Sequence, residues 1–145
     1  MKIKMMMNKE GDYTGFEFED EGFPALAIIN KDLKAFEGKQ AYCHAVFIRV
    51  VPDRFNEYGH PEGEEYDYLN EVEKTIMDYL LEQTETVHVG HTTMYRSRQI
   101  IFYTKNKETV ETYLEHFLST IQRENSFEIE YDPEWESVSA FYDLL

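Results

Sequence analysis

Two histidines three residues apart, His88 and His91, share a β-branched segment with Arg96 and Arg98. Together with carboxylates such as Glu128 and Glu130 they could hold a divalent cation or move a proton, provided that all converge from one face. Extended backbone works against this, because side chains three apart on a strand point to opposite faces. His88 and His91 therefore diverge unless a bulge at Gly90 interrupts the alternation, and no metal or cofactor is expected. Cys43 and His44 are neighbours in an apolar run, too close along a strand to align as nucleophile and base. Ser97, Ser119, Ser126, Ser137 and Ser139 have no Gly-x-Ser-x-Gly context, and there is no glycine-rich phosphate loop. No catalytic residue is assigned.

Three readings of function remain. A small hydrolase or ligand-binding protein would use His88, Arg96, Arg98, Tyr103, Glu128 and Glu130 on an open sheet face. An RNA-binding domain would stack bases on Phe102 and Tyr103, with Arg96, Arg98, Lys105 and Lys107 nearby. A protein-binding module would use the aromatic and acidic stretch at 55–66, where Phe55, Tyr58 and Tyr66 stand beside Glu64 and Glu65. The same aromatics would serve equally well to cap the helix that follows.

Charge separates these readings. Fourteen Lys and Arg stand against 29 Asp and Glu, a formal net charge of −15. Such a chain repels phosphates and anionic membranes and favours a basic partner. Residues 57–73 and 124–136 contain acidic but no Lys or Arg side chains. One cysteine excludes an internal disulfide and any CxxC motif. No apolar run approaches the ~20 residues of a membrane-spanning helix. The opening Met1–Met7 is too short and interrupted for a signal peptide, so a cytoplasmic location is expected.

The elements that must position these residues can be read in order. Residues 12–30 predict a hairpin turning at Asp20-Glu21-Gly22, followed by Ala41–Val51 as a central strand closed by Pro52. A loop over 52–65 precedes a helix from Glu64 to Gln83 with the apolar stripe Leu69, Val72, Ile76 and Leu80. Residues 86–104 form a second hairpin turning near Arg96-Ser97. A second helix follows, N-capped by Asn106, with Val110, Tyr113, Leu114, Phe117, Leu118 and Ile121 on one side. Ser126–Tyr131 alternates Phe127, Ile129 and Tyr131 inward with Glu128 and Glu130 outward. Asp132 then caps a short C-terminal helix over 133–144, with Pro133 at its first position and Trp135 buried in its first turn.

The order β-α-β-β-α-β over residues 40–132 gives the expected class: α+β, a ferredoxin-like antiparallel sheet with an N-terminal β-hairpin and a short C-terminal helix. Residues 1–145 would form one domain, with both long helices on one face and the other face at least partly wet.

Gly59-His60-Pro61 with Glu64, Leu69 and Glu73, then Val89-Gly90-His91-Thr92-Thr93, Arg96-Ser97-Arg98, Phe102-Tyr103-Thr104 and Asp132-Pro133-Glu134-Trp135 with Phe141, resemble the bacterial "domain of unknown function 695" family. Gly22-Phe23-Pro24 with Ile28, Asn30 and Leu33 extends the likeness to about residues 12–145. The strand ending Tyr131-Asp132 followed by Trp135 is also similar to the ribonuclease E inhibitor B group, small acidic α+β regulators that bind protein. The first family implies no catalytic residues. The expectation is an acidic bacterial protein-binding module, either a regulator of another protein or an immunity-type inhibitor of a basic toxin. Its partner is unidentified, and a homodimer through a sheet edge remains open.

Overall fold

A computed structural model describes residues 12–145; the opening Met1–Met7 stretch lies outside the described residues. Strands β1 (Tyr13–Asp20) and β2 (Phe23–Asn30) form the first hairpin, followed by a 3-10 helix at Lys31–Ala35. Then come β3 (His44–Val50), α1 (Glu64–Gln83), β4 (Thr86–Met94), β5 (Ser97–Thr104), α2 (Lys107–Leu118) and β6 (Asn125–Tyr131). The chain ends in a 3-10 turn at Glu136–Val138 and a helix α3 (Ser139–Asp143). All six strands join one antiparallel sheet in the order β1-β2-β4-β5-β3-β6. The sheet is wider than a four-stranded βαββαβ unit because β2 pairs with β4 and carries β1 outward as an edge.

Local chemistry explains the turns. Asp20 pairs with Phe23 across a two-residue link in which Glu21 (φ 50°) and Gly22 (φ 85°) are both left-handed. That is the backbone a tight hairpin needs to match strand twist. Asn56 orders the 52–65 loop by accepting from the backbone N–H groups of Tyr58 and His60. The first turn of α1 carries Glu64, Glu65 and Asp67, whose charges complement the helix dipole.

The sheet has a different core on each face. α1 and α2 pack together on one, where Leu69, Val72, Ile76, Leu80, Val110 and Leu114 meet Val46, Ile48, Val50, Ile100 and Phe102. The opposite face is not wet at its centre. Ala27, Ile29, Ala45, Val89, Ile101 and Tyr103 are covered there by Leu33, Trp135, Val138 and Tyr142. Alternation along β6 predicts only that its two faces differ, and it carries no information about the C-terminal segment folding back over β5.

That segment departs from expectation in its details. Trp135 does not begin a helix but takes a left-handed conformation (φ 55°) ahead of the 3-10 turn. Its indole stacks on Tyr103 at 4.0 Å and donates to the backbone oxygens of Lys39 and Tyr42, both at 3.0 Å. Asp132 accepts from the Tyr103 hydroxyl at 2.7 Å and from the N–H groups of Glu136 and Ser137. Burial and the Asp132 carboxylate together hold the Tyr103 hydroxyl protonated far above its usual range. Tyr131 points outward and is 71% exposed, because β6 ends at the sheet margin beyond both cores. α2 ends at Leu118, short of Ile121, and Asn106 spends its side-chain oxygen on Glu85 N–H at 2.6 Å instead of capping the helix.

Trp135→Ala should cost ~3–5 kcal/mol, the range for truncating a buried aromatic. Trp135→Phe should cost less, since it keeps the stack and loses only the two N–H bonds. Urea unfolding followed by circular dichroism measures both, and an unchanged midpoint in Trp135→Ala would place the ring outside the core.

Candidate functional site

The most concentrated chemistry lies beneath α1. Glu73 follows Leu69 by four residues and precedes Ile76 by three, so it falls on the apolar face of the helix and is fully buried. β4 supplies both histidines to it, contrary to strict alternation. The pairing register shifts between His88 and Gly90, a bulge that adds one residue and turns His91 to the same face as His88. Gly90 permits this: its φ is 147°, and an added Cβ would lie 1.8 Å from the Ile28 carbonyl oxygen on the neighbouring strand. No side chain fits there.

His88 Nε2 lies 2.8 Å from Glu73 Oε2, while His91 Nδ1 lies 2.8 Å from Oε1 and 3.1 Å from Oε2. Arg98 on β5 donates through one Nη to Glu73 Oε1 at 3.2 Å and to Asn70 Oδ1 at 2.8 Å. Tyr13 closes the far side, its hydroxyl 2.7 Å from His88 Nδ1. With His88 donating from Nε2 to the carboxylate, Nδ1 is left to accept from Tyr13, a tautomer assigned by its partners.

Burial pushes the Glu73 carboxyl toward its neutral form, but the attraction of His91 and the hydrogen bonds of His88 and His91 outweigh it, holding the group well below 4.5. Burial holds His91 below 6.5, against the pull of Glu73 and with the repulsion of Arg98. These two shifts compete, since a neutral His91 attracts Glu73 less than a charged one. The arrangement that satisfies both near neutral pH is an ionised Glu73 matched by Arg98, with His91 neutral and donating its N–H. Burial also lowers Arg98 from 12.5, and it stays cationic.

What this arrangement can do chemically is limited by access. Glu73, His88, His91 and Arg98 are all buried. Among the described residues no three His, Cys, Asp or Glu side chains are placed to hold a metal ion. Each imidazole nitrogen facing Glu73 is already engaged by its carboxylate. The Tyr13–His88–Glu73 chain is a proton relay in form, closed to substrate.

The residues expected to share an open sheet face are thus divided among four places. His88 and Arg98 lie under α1. Tyr103 is buried on the opposite face under Trp135, and Phe102 is buried under the helices, so neither ring can stack on a base. Glu128 and Glu130 are exposed on the β6 edge, where Glu130 accepts from the Ser137 hydroxyl. Arg96 sits at the β4–β5 turn in a left-handed conformation (φ 59°). The clue to the buried cluster was Glu73, an acid inside an otherwise apolar helical stripe.

The 55–66 loop belongs to a second assembly, at the end of the sheet. Phe23, the first residue of β2, and Tyr95, in the β4–β5 turn, pack with ring centroids 4.3 Å apart. Gly59 N–H and C=O join the loop: its oxygen accepts from Arg96 N–H at 2.8 Å, so close that a Cβ at Gly59 would strike Arg96 and Tyr95. His60 donates from Nε2 to the Pro24 oxygen at 2.8 Å, and the Arg96 guanidinium lies 4.6 Å over Phe55. Tyr66, in the first turn of α1, covers the buried Arg98 at 5.6 Å and leaves its outer side to solvent. Phe23, Tyr58, Tyr66 and Tyr95 are 37%, 44%, 45% and 43% exposed. Glu64 is exposed beside them, whereas Glu65 is buried, bound at 2.8 Å by both Nε and an Nη of Arg123 and accepting from Asp53 N–H. Glu65 braces the loop and is not free to meet a partner.

Glu73→Gln should destabilise by ~3–5 kcal/mol, because it leaves the Arg98 charge buried without its counterion. Replacing both members, Glu73→Leu with Arg98→Met, should restore part of that loss. Stability should also fall as pH drops below about 6.5, where the unfolded chain takes up a proton at His91 that the folded chain resists. A second loss follows below about 4.5, where unfolded but not folded Glu73 protonates. Both have the same sign: the unfolded state binds more protons, so stability rises with pH. Urea midpoints across this range should show the upper segment flattened in His91→Asn and the lower one reduced, since His91 supplies the largest pull on the Glu73 carboxylate.

Residues 16–142 match a family of unknown function, DUF695. No curated protein and no solved structure matches the chain. No match supports the expected likeness to the ribonuclease E inhibitor B group; Asp132 and Trp135, on which that expectation rested with Tyr131, act together to fix the C-terminal segment over Tyr103. By the match over most of its length, the chain belongs to the DUF695 family of unknown function.

Proposed function

We propose that this is a protein-binding module whose docking surface is the aromatic end of the sheet and whose partner presents Lys and Arg side chains. One observation carries the reading: the half-exposed rings Phe23, Tyr58 and Tyr95, from the start of β2, the 52–65 loop and the β4–β5 turn, are brought together by hydrogen bonds between those segments, while Tyr66 stands half-exposed over Arg98 in the first turn of α1. Tyr and Phe rings of this kind supply contact area at low cost in side-chain freedom. Glu21, Glu57, Glu62, Glu64 and Asp67 stand exposed in the same turn, loop and first helical turn. With a net charge of −15, they favour approach by a basic surface and open ring faces to its cations.

We read β3–α1–β4–β5–α2–β6 as the ferredoxin-like part of the sheet, supported by its strand order β4-β5-β3-β6, with the β1–β2 hairpin as an addition that completes the aromatic end. A regulatory role or toxin neutralisation follows if the partner is inactivated when bound. A cytoplasmic location belongs to the same proposal; what the structure contributes is that, among the described residues, no helix is long and apolar enough to cross a membrane.

The test is capture of partners from native extract by the immobilised protein and by Tyr58→Ala/Tyr66→Ala. Both substituted rings are half-exposed, so the melting temperature should move little. A specific basic protein should be retained at low ionic strength, lost from the double variant, and released near 1 M salt, where the screening length is about 3 Å. Equal retention by the double variant would remove the aromatic end from the interface.

A further inference from the structure

Each edge of a β-sheet carries backbone groups that can pair with another strand. At the β6 edge these groups lie within an ordered pattern of side chains. β6 pairs with β3 from Asn125 to Tyr131, and the ladder is continued by Val51 N–H to Glu124 oxygen and Asp132 N–H to Cys43 oxygen. In an antiparallel ladder the bonded residues alternate. Residues 124, 126, 128, 130 and 132 thus face β3, and the N–H and C=O groups of Phe127 and Ile129 face outward. Side chains alternate as well. Phe127 and Ile129 are half-buried against the helix-side core, and Ser126, Glu128 and Glu130 are exposed on the other face.

We infer that β6 accepts an antiparallel strand from a partner protein, with Lys or Arg at alternate positions opposite Glu128 and Glu130 and apolar residues between them. This deepens the protein-binding reading, on which it rests, by naming a second contact and the sequence pattern that fits it. Charge identifies the occupant. Residues 124–136 contain six acidic side chains (Glu124, Glu128, Glu130, Asp132, Glu134 and Glu136) and no Lys or Arg. Opposite charges facing each other across a strand pair stabilise it, and like charges destabilise it. A second copy of this chain fits badly. Pairing two β6 strands about residue 128 sets Glu128 against Glu128, and pairing about residue 129 sets Glu128 against Glu130 twice. The apolar positions also have a place to go, since a partner side chain between Phe127 and Ile129 extends the core that Phe117 and Ile121 already border. Outward backbone groups supply affinity, and the alternating side chains supply selectivity.

The experiment uses the full chain and an eight-residue fluorescent peptide alternating lysine with valine and threonine, read by anisotropy. Two versions carry N-methyl groups on alternate amides, one set in each register, so that each blocks hydrogen bonding along one side of the strand only. Strand addition predicts that one register loses at least tenfold in affinity while the other binds as the parent does. It also predicts that Glu128→Lys/Glu130→Lys transfers preference to a peptide alternating glutamate with valine and threonine. Backbone amide shifts at Phe127 and Ile129 should move on binding. Equal binding by both methylated peptides would mean plain attraction between charges, and no binding by the parent peptide would exclude the site; either overturns the proposal. Tyr58→Ala/Tyr66→Ala should bind the peptide unchanged, so failure at the edge and failure at the aromatic end are read separately.

Discussion

The structure turns on one buried carboxylate. Glu73 enters the apolar seam between α1 and the sheet, where a bare negative charge would be prohibitively costly. It is tolerated because Arg98 supplies the opposite charge and two imidazoles supply N–H groups at hydrogen-bond distance. These partners come from β4 and β5, so the cluster fixes the rotation of α1 and its height along the strands. It also requires the bulge at Gly90, since regular alternation would send His91 to the other face. A cluster of this kind adds little net energy over a well-packed apolar one, yet losing a single member leaves the rest stranded. Its contribution is to select one packing over the alternatives.

Around that seam the two faces are closed by different means. The helix face is sealed by two amphipathic helices, the ordinary solution for an antiparallel sheet. The other is sealed by a short C-terminal segment, pinned where Trp135 stacks on Tyr103 and Asp132 takes the tyrosine hydroxyl. Both faces are thereby withdrawn from use at the centre of the sheet. Surface available for recognition remains at the end, where loops bring aromatic rings together, and along β6.

Charge is distributed in keeping with this. The interior pairs its ions, Glu73 with Arg98 and Glu65 with Arg123. The excess acid lies outside, along β6 and around the start of α1. Acidic side chains on an edge strand discourage self-association, and the same residues are complementary to a basic strand. The proposed preference for a basic strand and the disfavoured pairing of β6 with itself have one physical source.

Periodicity, turn chemistry and charge were legible in the residues alone. The apolar stripes marked the inward side of α1 and of α2, Asp20-Glu21-Gly22 and Arg96-Ser97 located the hairpin turns, and the stretches with acid and no base marked the charged margins. These features are local, set by spacing within one element. Tertiary structure decided whatever depends on contact between distant segments. Strand alternation separates His88 from His91, and only the close passage of β2 beside Gly90 selects the bulge that reunites them on Glu73. Arg98, read as a surface cation, is buried because Glu73 and Asn70 meet it from α1. Tyr103 lies under Trp135 because Asp132, 29 residues later, captures its hydroxyl. Hydrophobic spacing tells which side of an element faces inward; which charges will be waiting there depends on how the elements cross.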